Sequence, residues 1–588
     1  MVIIMSTSDE VTTRIEADPE MQQAVATTEE RSTSFFRSRR FRKIAEASLA
    51  YLFLLPAFLI VFIFGIYPIA FSIYQSTQRG LNKIVGTYTG MGNYVRAIGD
   101  LAYVLGFWMA LLLVFMAVRG LWQARTKAVE NEDRPWLLAF PAALLAVGFA
   151  VFTWTFFTLL PLLLGTGDQI RAALRAGATE TSSELFLQFI AEGLKDPQLQ
   201  RLFWASVLIM IAAFLLTLFV RRKLPENNRI NSYYVTLFTS SLLIIGGVAL
   251  FAWVLHNVVT VYAEAAADAE PPGIWTYVAT ISAGFVLLAL SWVVWRNAGK
   301  RESTAALLLQ LTAGSLLIIG AYILIVEIPS AAASGDAKWY RGLTNTLYYS
   351  LGTLPFQFIF ALLLAVFLFQ KIRFKTGFRM IFFMPYITPV VGAAAIFRML
   401  FSGQPQSLMN RLIGFFGLGP WRWLNEPIGI FQLIAGDAVN LPTWLAGPSL
   451  ALVVVMIFGV WTFVGFNTVI LLAGLGGIPP DVYEAASIDG ANGWQKFRHV
   501  TLPLLSSTIY FLFIYALIGT FKAFNHIYVL RNSAQLGSTD TASVVIFDAF
   551  QRDSRFGYAA ALSVLLLLIV LGLTAVNNRL SQRGVYYG

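Results

Sequence analysis

The sequence holds no cysteine and three histidines, His256, His499 and His526, in 588 residues. Without cysteine it can form neither a disulfide nor a thiolate metal site. The histidines lie far apart and make no ligand motif. Charge is scarce as well: Asp, Glu, Lys and Arg make up 13% of the chain, about half the share of an ordinary soluble domain. There is no G-x-x-x-x-G-K-[ST] phosphate loop, so if ATP drives this protein another chain hydrolyses it. No clustered carboxylate motif stands beside an apolar run, which disfavours a membrane-bound glycosyltransferase.

What the chain has is apolar sequence. Hydrophobic residues are 57% of it and the mean hydropathy is +0.67. Apolar runs long enough to cross a bilayer recur along it. The expected fold is all-α and polytopic, with backbone polar groups satisfied inside helices. The net charge of +10 does not call for nucleic acid, because basic cytoplasmic loops give the same sum.

The most polar interruption between two core runs is EAASIDGANGWQKFRHVTLP, residues 484–503. Glu484, Ala485 and Ala486 favour helix. Gly490 breaks it, and it reads either as a bend or close approach or as a helix C-cap. Leu502-Pro503 reads as the opening of the next membrane helix, with the proline in a first turn where its missing N–H would have no partner. On spacing alone this is an amphipathic loop at the membrane surface.

The order Glu484-Ala485-Ala486, Gly490, Val500, Leu502-Pro503 resembles the EAA loop of ATP-binding-cassette importer permeases, where isoleucine is usual at the position of Val500. LAGLGGIPPDVYEAASIDGA (472–491) is similar to the oligosaccharide, maltose-type branch and to its larger membrane subunit. YPIAFSIYQS, GNYVRAI, MPYITP and FGYAAALSVLLLL resemble further parts of that family. The matching segments cover about 47–100 and 336–588. The resemblance implies a type I permease core of six spans and a coupling helix at 480–503 that docks on an ATPase subunit. It assigns ATPase coupling to Glu484, Ala485, Ala486, Asp489, Gly490, Leu502 and Pro503. It also implies a second homologous permease, an ATPase dimer holding ATP and magnesium, an extracytoplasmic sugar-binding protein, no cofactor or catalytic residue in this chain, and a place in a prokaryotic cell membrane.

In the family a short external stretch leads directly to a segment like KWYRGLTNTLYYS, which begins here only at Lys338. The chain therefore divides into a cytoplasmic tail (1–43), a first core helix and external segment (44–100), an insertion (101–335) and the remaining core (336–588). Pro56 and Pro68 are expected to kink the first span. The insertion contains six apolar runs that read as three hairpins with basic turns at 125–134, 221–229 and 296–303, and SLLIIG recurs at 241–246 and 315–320. The loops opposite those turns carry Asp168, Glu180, Glu184, Glu192 and Asp196, then Glu264, Asp268 and Glu270. Positive residues favour the cytoplasm, so the basic turns and both termini are placed there, with basic Arg37–Lys43 contacting anionic membrane lipid. The count is about twelve spans: one, six inserted and five. Trp421, Trp423 and Trp444 read as interfacial anchors or as contacts to an external partner.

Polar and aromatic groups within core runs are candidates for a substrate path: Gln357, Tyr386, Trp461, Asn467, Lys522 and Asn525. Aromatic faces suit sugar rings and amides suit hydroxyls. Helix–helix hydrogen bonding accounts for the same residues, and Lys522 can snorkel to the interface. An ion-driven secondary transporter with internal repeats is the rival class, and it would need intramembrane acids that the runs scarcely contain. A further possibility makes the insertion a docking platform for a lipid or another protein.

Overall fold

The computed structural model describes residues 39–80, 86–222, 228–265, 273–298, 304–370, 372–417, 419–436, 439–442 and 445–581. The tail up to residue 38, parts of the second and third basic turns, Asp268, Glu270, Lys371, Trp444 and Arg583 lie outside them. The chain forms two compact units, Met1–Ser72 and Ile73–Gly588.

In the first unit, helix α1 (Arg39–Val61) runs into a π-helical turn, Phe62–Ile66, and then into α2 (Tyr67–Ser76), which continues past the unit's end. The wide turn has a local cause. Pro68 has no N–H and its ring would clash with the carbonyl four residues back. The Tyr67 N–H reaches Phe62 O instead, five residues back. Pro56 lies within α1. Apolar side chains such as Phe53 and Phe64 are exposed along this span, as suits hydrocarbon.

The second unit begins with a small ribbon, β1 (Gln78–Arg79) against β2 (Thr87–Tyr88), and the short helix α3 (Gly92–Ile98). The inserted helices follow: α4 (Leu101–Glu130), α5 (Ala139–Arg175), α6 (Ser182–Gly193), α7 (Pro197–Arg221), α8 (Asn228–Ala265), α9 (Ile274–Ala298) and α10 (Thr304–Ala332). Their pairing differs from consecutive hairpins. α4 lies along α8, α5 along α7 and α8, and α9 along α10. Among the described residues, only the last pair packs extensively with its neighbour across a basic turn. Small residues at seven-residue spacing explain the pairing: Ala110, Ala117 and Ala124 are buried on α4, and Ser240 and Gly247 lie on α8. A Cβ on Gly247 would sit 3.0 Å from Ala110 O. Between α9 and α10, Ser291 Oγ donates to Ala313 O at 2.7 Å. Close backbone approach replaces the hydrophobic drive that lipid cannot supply.

The core continues with α11 (Ala337–Phe369), α12 (Lys375–Ile387), α13 (Val390–Leu400), α14 (Leu408–Gly414), α15 (Ile430–Ala435) and α16 (Leu450–Gly476). It ends with α17 (Pro480–Ile488), α18 (Gly493–Lys496), α19 (Leu502–Phe521), α20 (Asn525–Leu530), α21 (Ala542–Gln551) and α22 (Phe556–Ser581). Among the described residues, 11 helices are long and apolar enough to cross a membrane, or 12 counting α12 and α13 as one bent span. That pair bends by 93°. In the sequence, residues 381–401 (IFFMPYITPVVGAAAIFRMLF) read as one apolar span. Pro389 forces the residue before it out of helix, and Thr388 is extended at ψ 133°.

Helix α16 is the axle of the core, packing along α11 and against α12 and α19. One apolar cluster (Tyr349, Phe397, Phe458, Ile527) fills the end of the bundle where α16 begins. Another (Ala365, Leu368, Leu475, Leu505) fills the end near α17. A third joins insertion to core through Phe107, Val258, Trp339, Tyr558 and Leu562.

Trp423 belongs to the first cluster and is no interfacial anchor: it is buried, and its indole donates to Asn410 Oδ1 at 2.7 Å. Asn410 Oδ1 also accepts from Trp421 N, while its amide donates to the carbonyls of Ser402, Gln404 and Trp421. Asn410→Ala leaves several of these buried groups unpaired. We expect it to lower stability by about 2–4 kcal/mol, measured as a fall in the thermal unfolding midpoint of purified chain.

Candidate functional site

Between α16 and α19 the chain leaves the apolar bundle and makes a compact knob. Pro480 occupies the first turn of α17, where its missing N–H has no partner to lose. Gly490 ends the helix in the left-handed region at φ 76°. The Ala491 N–H then bonds Ala486 O at 2.9 Å and the Gly490 N–H bonds Ser487 O, closing off the last carbonyls. Of the two readings of Gly490, the C-cap is observed and it makes the bend. Within this chain a Cβ there would meet nothing within 4 Å among the described residues.

A second helical piece starts at once. Asn492 and Gln495 form a reciprocal capping box at the head of α18. A π-helical turn, Phe497–Thr501, carries α18 straight into α19. The helix therefore begins at Gly493, and Pro503 lies inside a continuous helical rod, not at its opening as expected. The reason repeats that at Pro68: the Leu502 N–H bonds Phe497 O, so the wide turn absorbs the proline.

The knob is pinned to the bundle. Tyr483 packs on the apolar cluster of Ala365, Leu475 and Leu505, and its hydroxyl lies 3.1 Å from Thr501 Oγ1. Lys496 Nζ donates to Ser487 Oγ at 2.7 Å. The opposite face is free. Glu484, Ala485, Asp489 and Gly490 are exposed, Ala486 is half-buried, and Ile488 is 87% exposed. Trp494 on α18 is 66% exposed. The knob thus exposes an isoleucine and a tryptophan among polar residues. Leu502 is half-buried and Pro503 exposed, both on α19 and off this face.

The six candidate path residues do not form one cluster. Gln357 and Asn467 are buried where α11 meets α16. Gln357 Nε2 donates to Gly459 O at 3.5 Å, and Asn467 Nδ2 has no hydrogen-bond partner among the described residues. Tyr386 on α12 is partly exposed and stacks on Phe466 of α16 at 4.8 Å. Trp461 is partly exposed against Phe397 and Phe458. Lys522 and Asn525 are exposed at the break between α19 and α20.

Sequence reasoning passed over His526. It is buried, its Nε2 lies 2.7 Å from the Tyr349 hydroxyl, and its ring stacks on Phe458 at 5.6 Å. Gly459 leaves room for that hydroxyl, which would lie 2.3 Å from a Cβ there. The only sequence cue was a lone histidine in an apolar run; its partner lies 177 residues away.

The fold is a polytopic helical bundle with a polar knob between two of its long apolar helices. The chain belongs to the family of binding-protein-dependent transport system inner membrane components, which residues 328–584 match. It is 30% identical to the arabinooligosaccharides transport system permease protein of Bacillus subtilis (strain 168), over 45% of this chain and 78% of that one. It is 32% identical to the osmoprotective compounds uptake permease protein of Synechocystis, over 45% and 95%. With the trehalose/maltose transport system permease protein of Thermococcus litoralis it shares 29%, over 42% and 75%. Among solved structures it is similar to a chain of a bacterial ABC transporter that imports the acidic polysaccharide alginate, at 23% identity and TM-score 0.36, over 42% of this chain and 80% of that one. The family match begins at residue 328 and leaves out most of the insertion.

Proposed function

We propose that this chain is one of two membrane subunits of an ATP-driven importer for a sugar or oligosaccharide, and that α17 is its coupling helix. The observation that carries this reading is the exposed knob, built from the residues that match the family's EAA loop and anchored through Tyr483 to the cluster joining α11, α16 and α19. A short helix pinned at its base passes on rigid-body motion without slack. In this reading Ile488 and Trp494 enter a cleft of the ATPase subunit and Glu484 pairs with a basic residue there. Gly490 shapes the bend.

The topology then follows. The knob is cytoplasmic, and α16 and α19 carry the chain to the opposite, outer face, where α20 and α21 lie. The translocation path runs along the partly exposed aromatic and polar groups, Tyr386, Trp461, Lys522 and Asn525, with a second permease closing its other side. Gln357 and Asn467 serve the α11–α16 joint. ATP is the partner's substrate, and an external binding protein hands over the sugar. The sugar assignment draws on the relatives' named substrates. Two of the named relatives are transport system permease proteins for arabinooligosaccharides and for trehalose and maltose.

The test is affinity purification of the full chain from its native membrane. An ATPase subunit and a second permease are expected to come with it, and the complex, rebuilt in vesicles with its binding protein, should take up sugar only with ATP. A chain that purifies alone and transports without ATP would overturn the proposal.

A further inference from the structure

Residues 86–100 lead from the end of the first core span into the insertion, on the outer face by the topology proposed above. This strap has little structure of its own. β2 pairs with β1 over two residues each, and α3 has seven residues. A two-stranded ribbon and a helix that short are marginal by themselves. The strap is therefore ordered by what flanks it, and its two halves have different holders.

The core holds the second half. Ala97 O accepts from the Asp336 N–H at 3.2 Å, and Ile98 O accepts from the Tyr340 hydroxyl at 2.9 Å. Tyr558 of α22 donates to Asp336 Oδ2 at 2.7 Å. The insertion holds the first half. Asn257 Oδ1 on α8 accepts from the Met91 N–H at 3.1 Å, at the head of α3. One turn back on α8, the Trp253 indole donates to the Tyr88 hydroxyl at 2.6 Å. Asn257 is oriented by its own Nδ2, which donates to Trp253 O at 2.8 Å. The approach is so close that a Cβ on Gly90 would overlap Asn257 Oδ1. Between the two holders, Met91 and Ile98 fill an apolar joint with Phe107 and Val258 of the insertion and Trp339 and Leu562 of the core. The strap in turn grips the end of α2: Asn93 Nδ2 donates to Ser76 O at 2.8 Å and to Gln78 O at 2.7 Å.

We infer that the insertion is a brace for the outer end of the permease core. Asn257 and Trp253 are positioning residues that fix the first half of the strap and, through Asn93, the end of α2. Because the strap is bonded on both sides, the insertion moves as one body with α11 and α22 and is not a platform hinged to them. Only that motion rests on the importer reading. The bracing is a property of the chain alone.

Hydrogen exchange on the full chain in lipid nanodiscs tests the brace without transport. Asn257→Ala with Trp253→Phe should speed amide exchange over 86–92 about tenfold, the effect of losing a buried hydrogen bond or two, and leave 96–100 protected. Asn257→Asp keeps the accepting oxygen and should keep the protection. An unchanged unfolding midpoint checks that the variants fold. Unchanged exchange over 86–92, loosening that reaches 96–100 equally, or Asn257→Asp behaving like Asn257→Ala would each overturn the proposal. The motion is tested with spin labels on Val259→Cys and Gln551→Cys, both exposed, in a chain with no other cysteine. In the complete complex their separation should be the same with and without ATP, and a separation that changes with ATP would overturn the one-body claim. Failure to recover an ATPase partner would instead count against the importer reading and leave the exchange result standing.

Discussion

Ile488→Asp combined with Glu484→Arg is expected to reduce ATP-driven uptake by about a hundredfold or more, while leaving the chain folded and in the membrane. Ile488 is almost wholly exposed, so its replacement removes little packing within this chain. On docking, a buried isoleucine contributes about 1.5–3 kcal/mol. An aspartate in its place would be desolvated without a partner, at a cost of several kcal/mol more. Reversing Glu484 turns a favourable pair into a repulsion. Together these exceed the roughly 2.7 kcal/mol that a hundredfold loss requires. The measurement is uptake by vesicles containing the complete complex, alongside the amount of ATPase subunit retained on purification. Normal uptake with full ATPase retention would contradict the assignment of α17.

Gly465→Ala is the second large effect, and it acts on the fold. A Cβ at Gly465 would lie 1.8 Å from Phe382 O and 2.6 Å from its carbonyl carbon. The obstacle is backbone, so no rotamer change relieves it. Helix α12 would have to move off α16, and α12 carries Tyr386 with its stacking on Phe466. Overpacking of this kind costs about 3 kcal/mol or more when the neighbour cannot yield. The expected outcome is a sharp fall in folded yield and unfolding midpoint. Gly490→Ala provides the contrast. It meets nothing within 4 Å and has only its left-handed conformation at φ 76° to strain, about 1–2 kcal/mol. Its effect should be smaller and confined to the knob.

These two glycines show what could be read in the sequence. Gly490 stood between two amphipathic pieces, and a helix end there follows from local chemistry. Gly465 stood in an apolar run like any other glycine, and its partner is fixed only when α12 crosses α16. The spans were legible because each is a long apolar run judged one at a time. The pairing of inserted helices was not, because apolar composition does not say which neighbour a run meets. The seven-residue spacing of Ala110, Ala117 and Ala124 was the available signal, and it marks a seam without naming the partner. That the rod holding α19 begins upstream, at Gly493, was not legible for a related reason. A proline usually opens a helix, but a π turn upstream lets it lie within one. The Tyr349–His526 contact joins residues that only the folded chain brings together.

The chain's lack of cysteine makes the most direct test of its coupling role a clean one. Ile488→Cys would place a single thiol on the exposed face of α17, with no other thiol in this chain to react. The variant would be joined to its native complex and treated with a short thiol-to-amine cross-linker. The account predicts one dominant product, this chain linked to the ATPase subunit, with a yield that changes when ATP is bound. A thiol that reacts freely with a membrane-impermeant reagent added outside intact cells, or that links to no ATPase subunit, would contradict it.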